Sequence, residues 1–155
     1  MLSSLKLIDL VERNAEVIAK QWVKNVKKNP RTPSYHKLSE EEIVGQAIRF
    51  YHELRELLMR KDAADLARGY FSAYAREQYE KGIALHEALY ALVLMRRQMW
   101  LFSKSEAAFV SVLEQQQAIE SVSRTILVSD YIVYMLTQEY QKLILHDLGK
   151  KLGKY

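Results

Sequence analysis

Apolar residues recur every three or four positions along most of this chain, and one stretch breaks the rule by having almost no polar side. That stretch is Gly82 to Phe102, GIALHEALYALVLMRRQMWLF, in which only His86 and Glu87 are strongly polar between Ile83 and Met95. A helix apolar around most of its circumference has little face left for water, so it is expected inside a bundle with neighbours on several sides. It is too short and too interrupted to span a bilayer.

The other elements read as amphipathic helices that pack against it. In the first, Ile8, Val11, Ala15, Ile18, Trp22 and Val26 form one stripe, and Ser3 or Ser4 is placed to cap its start. It is expected to stop at KKNPRTPSY, because Pro30 and Pro33 each disfavour helix in the residue before them. Ser39-Glu40-Glu41-Glu42 has the pattern of a capping box, followed by a stripe of Ile43 or Val44, Ala47, Tyr51, Leu54 and Leu58. After a break at Arg60-Lys61, Asp62 can cap a third helix with Leu66, Tyr70, Ala73, Tyr74 and Glu77 along one side, and Gly82 is suited to end it. Ser103 to Glu106 reads as the next turn and cap. From Ala107 to Leu148 there is no glycine or proline, and Gly149 is expected to end that run. The pattern predicts one all-α domain over 1–155, helical at 4–29, 39–60, 62–81, 84–102 and 107–148.

The final run is either one helix of about 60 Å at 1.5 Å per residue or two with a bend near Gln115-Gln116-Gln117. Ile119, Val122, Ile126, Ser129, Val133, Leu136, Tyr140 and Leu143 alternate in steps of three and four, as in a coiled-coil seam. Leu127, Tyr131, Tyr134 and Met135 lie to one side of it. Two apolar stripes on one helix predict one against its own domain and one against a partner. A homodimer is therefore expected, with Ile126, Val133, Leu136 and Tyr140 at the interface.

Composition narrows the function more than it identifies it. The 155 residues include no cysteine, which removes disulfide frameworks, Cys-ligated zinc and thiol nucleophiles together. The net charge is +4, with 23 basic residues dispersed among 19 acidic ones. Nucleic-acid binders concentrate basic charge on a face or recognition helix, so no nucleic-acid role is expected. The N-terminus lacks the continuous apolar core of a signal peptide, and a cytoplasmic, non-inserted protein is expected. Catalytic and metal-binding motifs are missing: there is no HExxH, no GxSxG, no phosphate-binding glycine loop and no Glu-x-x-His pair set. His52-Glu53 and His86-Glu87 are adjacent on helices and do not face each other. The chain is not expected to be an enzyme or to need a cofactor.

Four residues stand out as candidate ligand contacts. His86, in the first turn of the apolar helix, could hydrogen-bond a neighbouring helix end or serve as a haem ligand or polar anchor. Arg96 falls on the face of Leu85, Leu89, Leu92 and Met99. There it either snorkels to the surface or requires an anion, such as Asp130 of the last helix or a bound carboxylate. Tyr90 is one of ten tyrosines, several of which could line a pocket or serve as amphipathic core residues.

Several segments together resemble the N-terminal sensor domains of RsbR-type proteins. They are Trp22-Val23 to Val26, NPRTPSYHKLSEEEI from Asn29 to Ile43, GIALHEALYALVLMRRQMW from Gly82, and VSDYIVYMLTQEY from Val128 to Tyr140. Where that family tends to place aromatic residues before the Asp, this chain has Val128 and Ser129. The resemblance implies a globin-like helical fold, usually dimeric and without haem in its best-known relatives. There it precedes a STAS or kinase output module in bacterial stress signalling. The sequence contains no such module. That leaves a sensor domain taken from a longer protein, or one acting on separate partners through its last helix. The alternatives are a haem- or fatty-acid-binding ligand sensor and a structural interaction module.

Overall fold

The computed structural model describes residues 9–59, 63–105 and 112–153, with no strand among them. Helix α1 spans Ala15–Val26, α2 Glu40–Met59, α3 Ala63–Glu80, α4 Leu85–Ser105 and α5 Val112–Lys151, with a 3₁₀ turn at Pro33–Tyr35 between α1 and α2. The all-α class and the long C-terminal helix are thus as the hydrophobic pattern predicts. Among the described residues no helix is long and apolar enough to cross a membrane.

The α1 stripe is realised in full over the described residues: Val11, Ala15, Ile18, Trp22 and Val26 are all buried. The expected single helix is interrupted at Asn14, whose side-chain amide donates to the Leu10 carbonyl at 2.8 Å. Helix α1 stops at Val26, where the Thr32 hydroxyl donates to the Val26 carbonyl at 2.8 Å and so satisfies a C-terminal acceptor. The expected caps at Ser3, Ser4 and Asp62 lie outside the described residues.

Helices α2 and α3 run antiparallel. Phe50 meets the Phe71 and Tyr74 rings at centroid distances of 5.6 and 5.7 Å, and Lys81 Nζ lies 2.7 Å from Glu42. That contact corrects the expected capping box: Glu42 reaches across to α3, and among the described residues the Ser39 side chain makes no cap bond. Burial pulls the Lys81 pKa down, but its bonds to Glu42 and Glu77 outweigh this and leave it above the ordinary lysine value. Gly82 ends α3 as predicted, at φ 77°. Its N–H donates to the Tyr79 carbonyl and that of Ile83 to the Gln78 carbonyl, the paired bonds of a Schellman motif that only a left-handed residue allows without strain.

Helix α4 is not the common partner expected of it: α2 packs mainly on α1, and α3 mainly on α5. Helix α4 itself lies against α1 and α5, with Ala88, Ala91, Leu94, Met95 and Met99 all buried. Buried side chains from three other helices donate to carbonyls in or just before it: the Trp22 indole to Ala91, the Tyr51 hydroxyl to Met95 and the Tyr140 hydroxyl to Ile83, each at 2.9 Å. The proline-containing turn is tied down from the same helix. The buried Glu87 carboxylate accepts from the Ser34 N–H at 2.7 Å and the Ser34 hydroxyl at 2.6 Å.

Two further boundaries and one helix face differ from expectation. Ser103 does not turn the chain; it is helical and its hydroxyl donates to the Met99 carbonyl at 2.9 Å. Ala73 faces solvent, and α3 instead buries Phe71, Tyr74, Ala75 and Gln78. Helix α5 is unbroken over its 40 residues and passes through Gly149; Gly153, at φ 71°, follows its end.

Candidate functional site

A cleft opens where α2, α4 and α5 meet. Phe50, Tyr51 and Leu54 supply one wall, Leu92, Val93 and Arg96 the second, and Ser129, Ile132 and Val133 the third. Each set follows helical spacing on its own element, which is why three amphipathic stripes converge there. The walls are apolar except for Arg96 and the Ser129 hydroxyl, since the Tyr51 hydroxyl is already committed to Met95. Arg96 is half-buried, and among the described residues it has no ion-pair partner. An anionic group entering the cleft would meet one guanidinium and no competing carboxylate. The cleft encloses about 30 Å³, room for about two waters. This is roughly ten- to thirtyfold less than the ~300–1,000 Å³ of ordinary ligand pockets. Neither haem nor a fatty-acid chain would be enclosed there unless a wall moves.

The structure separates the four predicted ligand contacts. Only Arg96 lines the cleft. His86 is exposed in the first turn of α4, about 15 Å along the helix from Arg96 at 1.5 Å per residue. It is therefore not positioned as an axial ligand in the cleft. Tyr90 is half-buried and carries the Arg31 guanidinium 5.7 Å from its ring centroid, a cation–π contact that holds the proline turn. Asp130 is exposed and makes no ion pair with Arg96 among the described residues. Nor does any group of three or more His, Asp or Glu capable of holding a metal occur among them.

The predicted dimer residues also divide. Ile126 is exposed and Val133 lines the cleft, but Leu136 and Tyr140 are 0% and 1% exposed. Those two are occupied inside the chain's own core, against the α3 and α4 side, and cannot serve an interface. Of the second expected stripe Leu127 and Tyr134 are bare, while Met135 is buried and Tyr131 packs half-buried against the core; the bare face continues instead toward the C-terminus. Leu127, Tyr134 and Leu152 are 70%, 59% and 62% exposed, and Ile144, Leu145 and Leu148 accompany them.

A second feature escaped the sequence pattern: a polar cluster inside the core at the α2–α3 seam. Gln46 and Gln78 are fully buried and Tyr74 nearly so. Both Gln46 amide atoms, the Tyr74 hydroxyl and the Gln78 amide nitrogen have no hydrogen-bond partner among the described residues. The Tyr35 hydroxyl reaches Gln78 at 3.4 Å, a long contact. Burial first, then the neighbouring Tyr35, Tyr70 and Tyr140, push the Tyr74 hydroxyl well above the ordinary tyrosine pKa.

Comparison of the chain with protein-family models, with curated proteins and with solved structures finds no match. The class the geometry defines is an all-helical bundle whose long last helix has one face in the core and one apolar face in solvent.

Proposed function

We propose that this chain is a non-enzymatic, dimeric, cytoplasmic sensory domain of bacterial signalling, with α5 as the element that carries the signal. One observation supports this most directly. Helix α5 forms a wall of the cleft through Ser129, Ile132 and Val133 and also bears the exposed apolar stripe. A ligand that widens the cleft on the α5 side displaces the helix that a partner would contact, so one body couples input to output. The resemblance to RsbR-type N-terminal sensor domains, with its globin-like fold, supports the same reading.

A second reading, a sensor of a small anionic ligand, is favoured by the lone guanidinium of Arg96 in apolar walls. It differs only in what enters the cleft. The haem version of this reading loses its ligand, because His86 lies on the surface.

Filling the cleft tests the coupling. Val133→Trp is expected to push α5 outward, speed amide exchange over residues 141–152 and change the dimer dissociation constant at least several-fold. Unchanged exchange and unchanged association in a folded variant would refute coupling through α5. A wild-type protein that stays monomeric at about 100 µM, where even a weak dimer of Kd near 10 µM would be mostly assembled, would refute the dimeric reading.

A further inference from the structure

We infer that the exposed stripe of α5 pairs with the same stripe of a second copy, in antiparallel orientation; this rests on the dimeric reading above and specifies its geometry. The stripe runs Leu127, Tyr134, Gln141, Leu145, Leu148, Leu152, in steps of seven, seven, four, three and four, so it stays on one side of the helix for about 38 Å. With Ile126 and Ile144 at its edge, its apolar side chains expose on the order of 800 Å² per copy, the per-partner area of a standard interface and more than monomers usually leave bare.

The stripe reads nearly the same in both directions. Turned about a two-fold axis between Glu139 and Tyr140, it sets Leu127 against Leu152, Tyr134 against Leu145, Tyr131 against Leu148 and Gln138 against Gln141 of the second copy. Leu127, Tyr134, Leu145 and Leu152 then face apolar members of the same stripe, Leu148 meets the half-buried Tyr131, and the polar Gln138–Gln141 pair occurs twice about the centre, amide on amide. A two-fold interface must be self-complementary in this way.

Charge decides between the two possible directions. The exposed Asp130 lies beside the stripe, and Lys150 and Lys151 occupy the last turn. The antiparallel register brings Asp130 level with the last turn of the second copy, where Lys151 lies on the same flank of the stripe and Lys150 points away from it, and does so twice by symmetry. A parallel pair would instead set Asp130 against Asp130 of the second copy and Lys151 against its Lys151, like charge on like charge. Antiparallel helices also oppose their macrodipoles favourably.

The chain has no cysteine, so a single introduced thiol gives a unique label. A nitroxide on Ser123→Cys, an exposed position, should report a separation of about 50 Å in the antiparallel dimer, against about 10–15 Å in a parallel one. Asp130→Lys should weaken association about tenfold, as should Lys151→Glu. Both changes together should restore it to within about threefold, because the two symmetry-related ion pairs are re-formed with reversed sign. A dimer with the short distance, or a charge reversal without rescue, would overturn the antiparallel pairing and leave the dimeric reading standing. A monomer at about 100 µM would overturn both. Leu145→Glu, at a position already in solvent, should yield a folded monomer, and an intact dimer in that variant would place the interface elsewhere.

Discussion

Tyr51 and Tyr140 offer a controlled comparison, because removing one hydroxyl from each should have unequal effects for a reason visible in the acceptors. Both side chains are buried, and both donate at 2.9 Å to a backbone carbonyl. The Met95 carbonyl lies within α4 and keeps its intrahelical bond when Tyr51→Phe removes the hydroxyl. The loss is then one net hydrogen bond, about 1 kcal/mol. The Ile83 carbonyl lies in the connection before α4, and among the described residues the Tyr140 hydroxyl is its donor. Tyr140→Phe therefore loses the bond and also strands a buried acceptor, which costs about 2–3 kcal/mol. The rings remain in both variants, including the edge-on contact of Tyr140 with Tyr79 at 5.6 Å, so cavity terms cancel. Urea denaturation at one protein concentration reads the difference. With a slope of about 2 kcal/mol per molar, the midpoint should fall by about 0.5 M for Tyr51→Phe and by about 1–1.5 M for Tyr140→Phe. Equal shifts, or a larger shift for Tyr51→Phe, would refute the reasoning from acceptor satisfaction.

Two further predictions concern the interior. Burial raises the hydroxyl pKa values of Tyr35, Tyr51, Tyr70, Tyr74 and Tyr140 above the ordinary value of 10.0. Their neutral forms are favoured in the folded state, so stability is intact below pH 10 and falls as pH rises above it, where the unfolded chain ionises first. Absorbance at about 295 nm should show these five ionising only together with unfolding, and a reversible titration of all ten tyrosines in folded protein would contradict the burial. Gln46→Leu should be neutral or stabilising by about 1 kcal/mol in thermal or urea denaturation, since it removes two buried polar atoms that lack partners. A loss of more than about 1 kcal/mol would mean that the amide is satisfied in solution.

The hydrophobic pattern carried the elements because it is local, and it failed where a neighbour had to be known. The α1 stripe and the Gly82 turn depend on spacing and backbone freedom within a few residues, and both were legible. The assignment of stripes on α5 was not. Ile126, Val133, Leu136 and Tyr140 form as good a series as Leu127, Tyr134, Leu145 and Leu152, and only the placement of α3 and α4 decides which is covered. His86 was drawn toward the core by its apolar neighbours, yet the first turn of a helix can point outward before the packing begins. Arg96 lies beside an apolar face, and that position follows from the α4 spacing alone. Its relation to Asp130 depended on the rotation of a second helix. Glu87 passed unnoticed as the anchor of the proline turn, although a Ser directly after Pro33 presents an N–H and a hydroxyl that need an acceptor. The polar pair Gln46 and Gln78 left no signal beyond two amides on otherwise apolar faces.

The hydrogen bonds that converge on α4 also govern how the molecule is made. Trp22 and Tyr51 emerge from the ribosome well before the carbonyls of Ala91 and Met95 that they bond, and α1 and α2, which pack on each other, still lack that third side until α4 follows. At about 5–20 residues per second, the 80 residues between Trp22 and Phe102 take about 4–16 s to synthesise. For that interval the sides of α1 and α2 that α4 later covers stay exposed. This is the state that holdase chaperones recognise, and it makes the first half of the chain their expected client during translation.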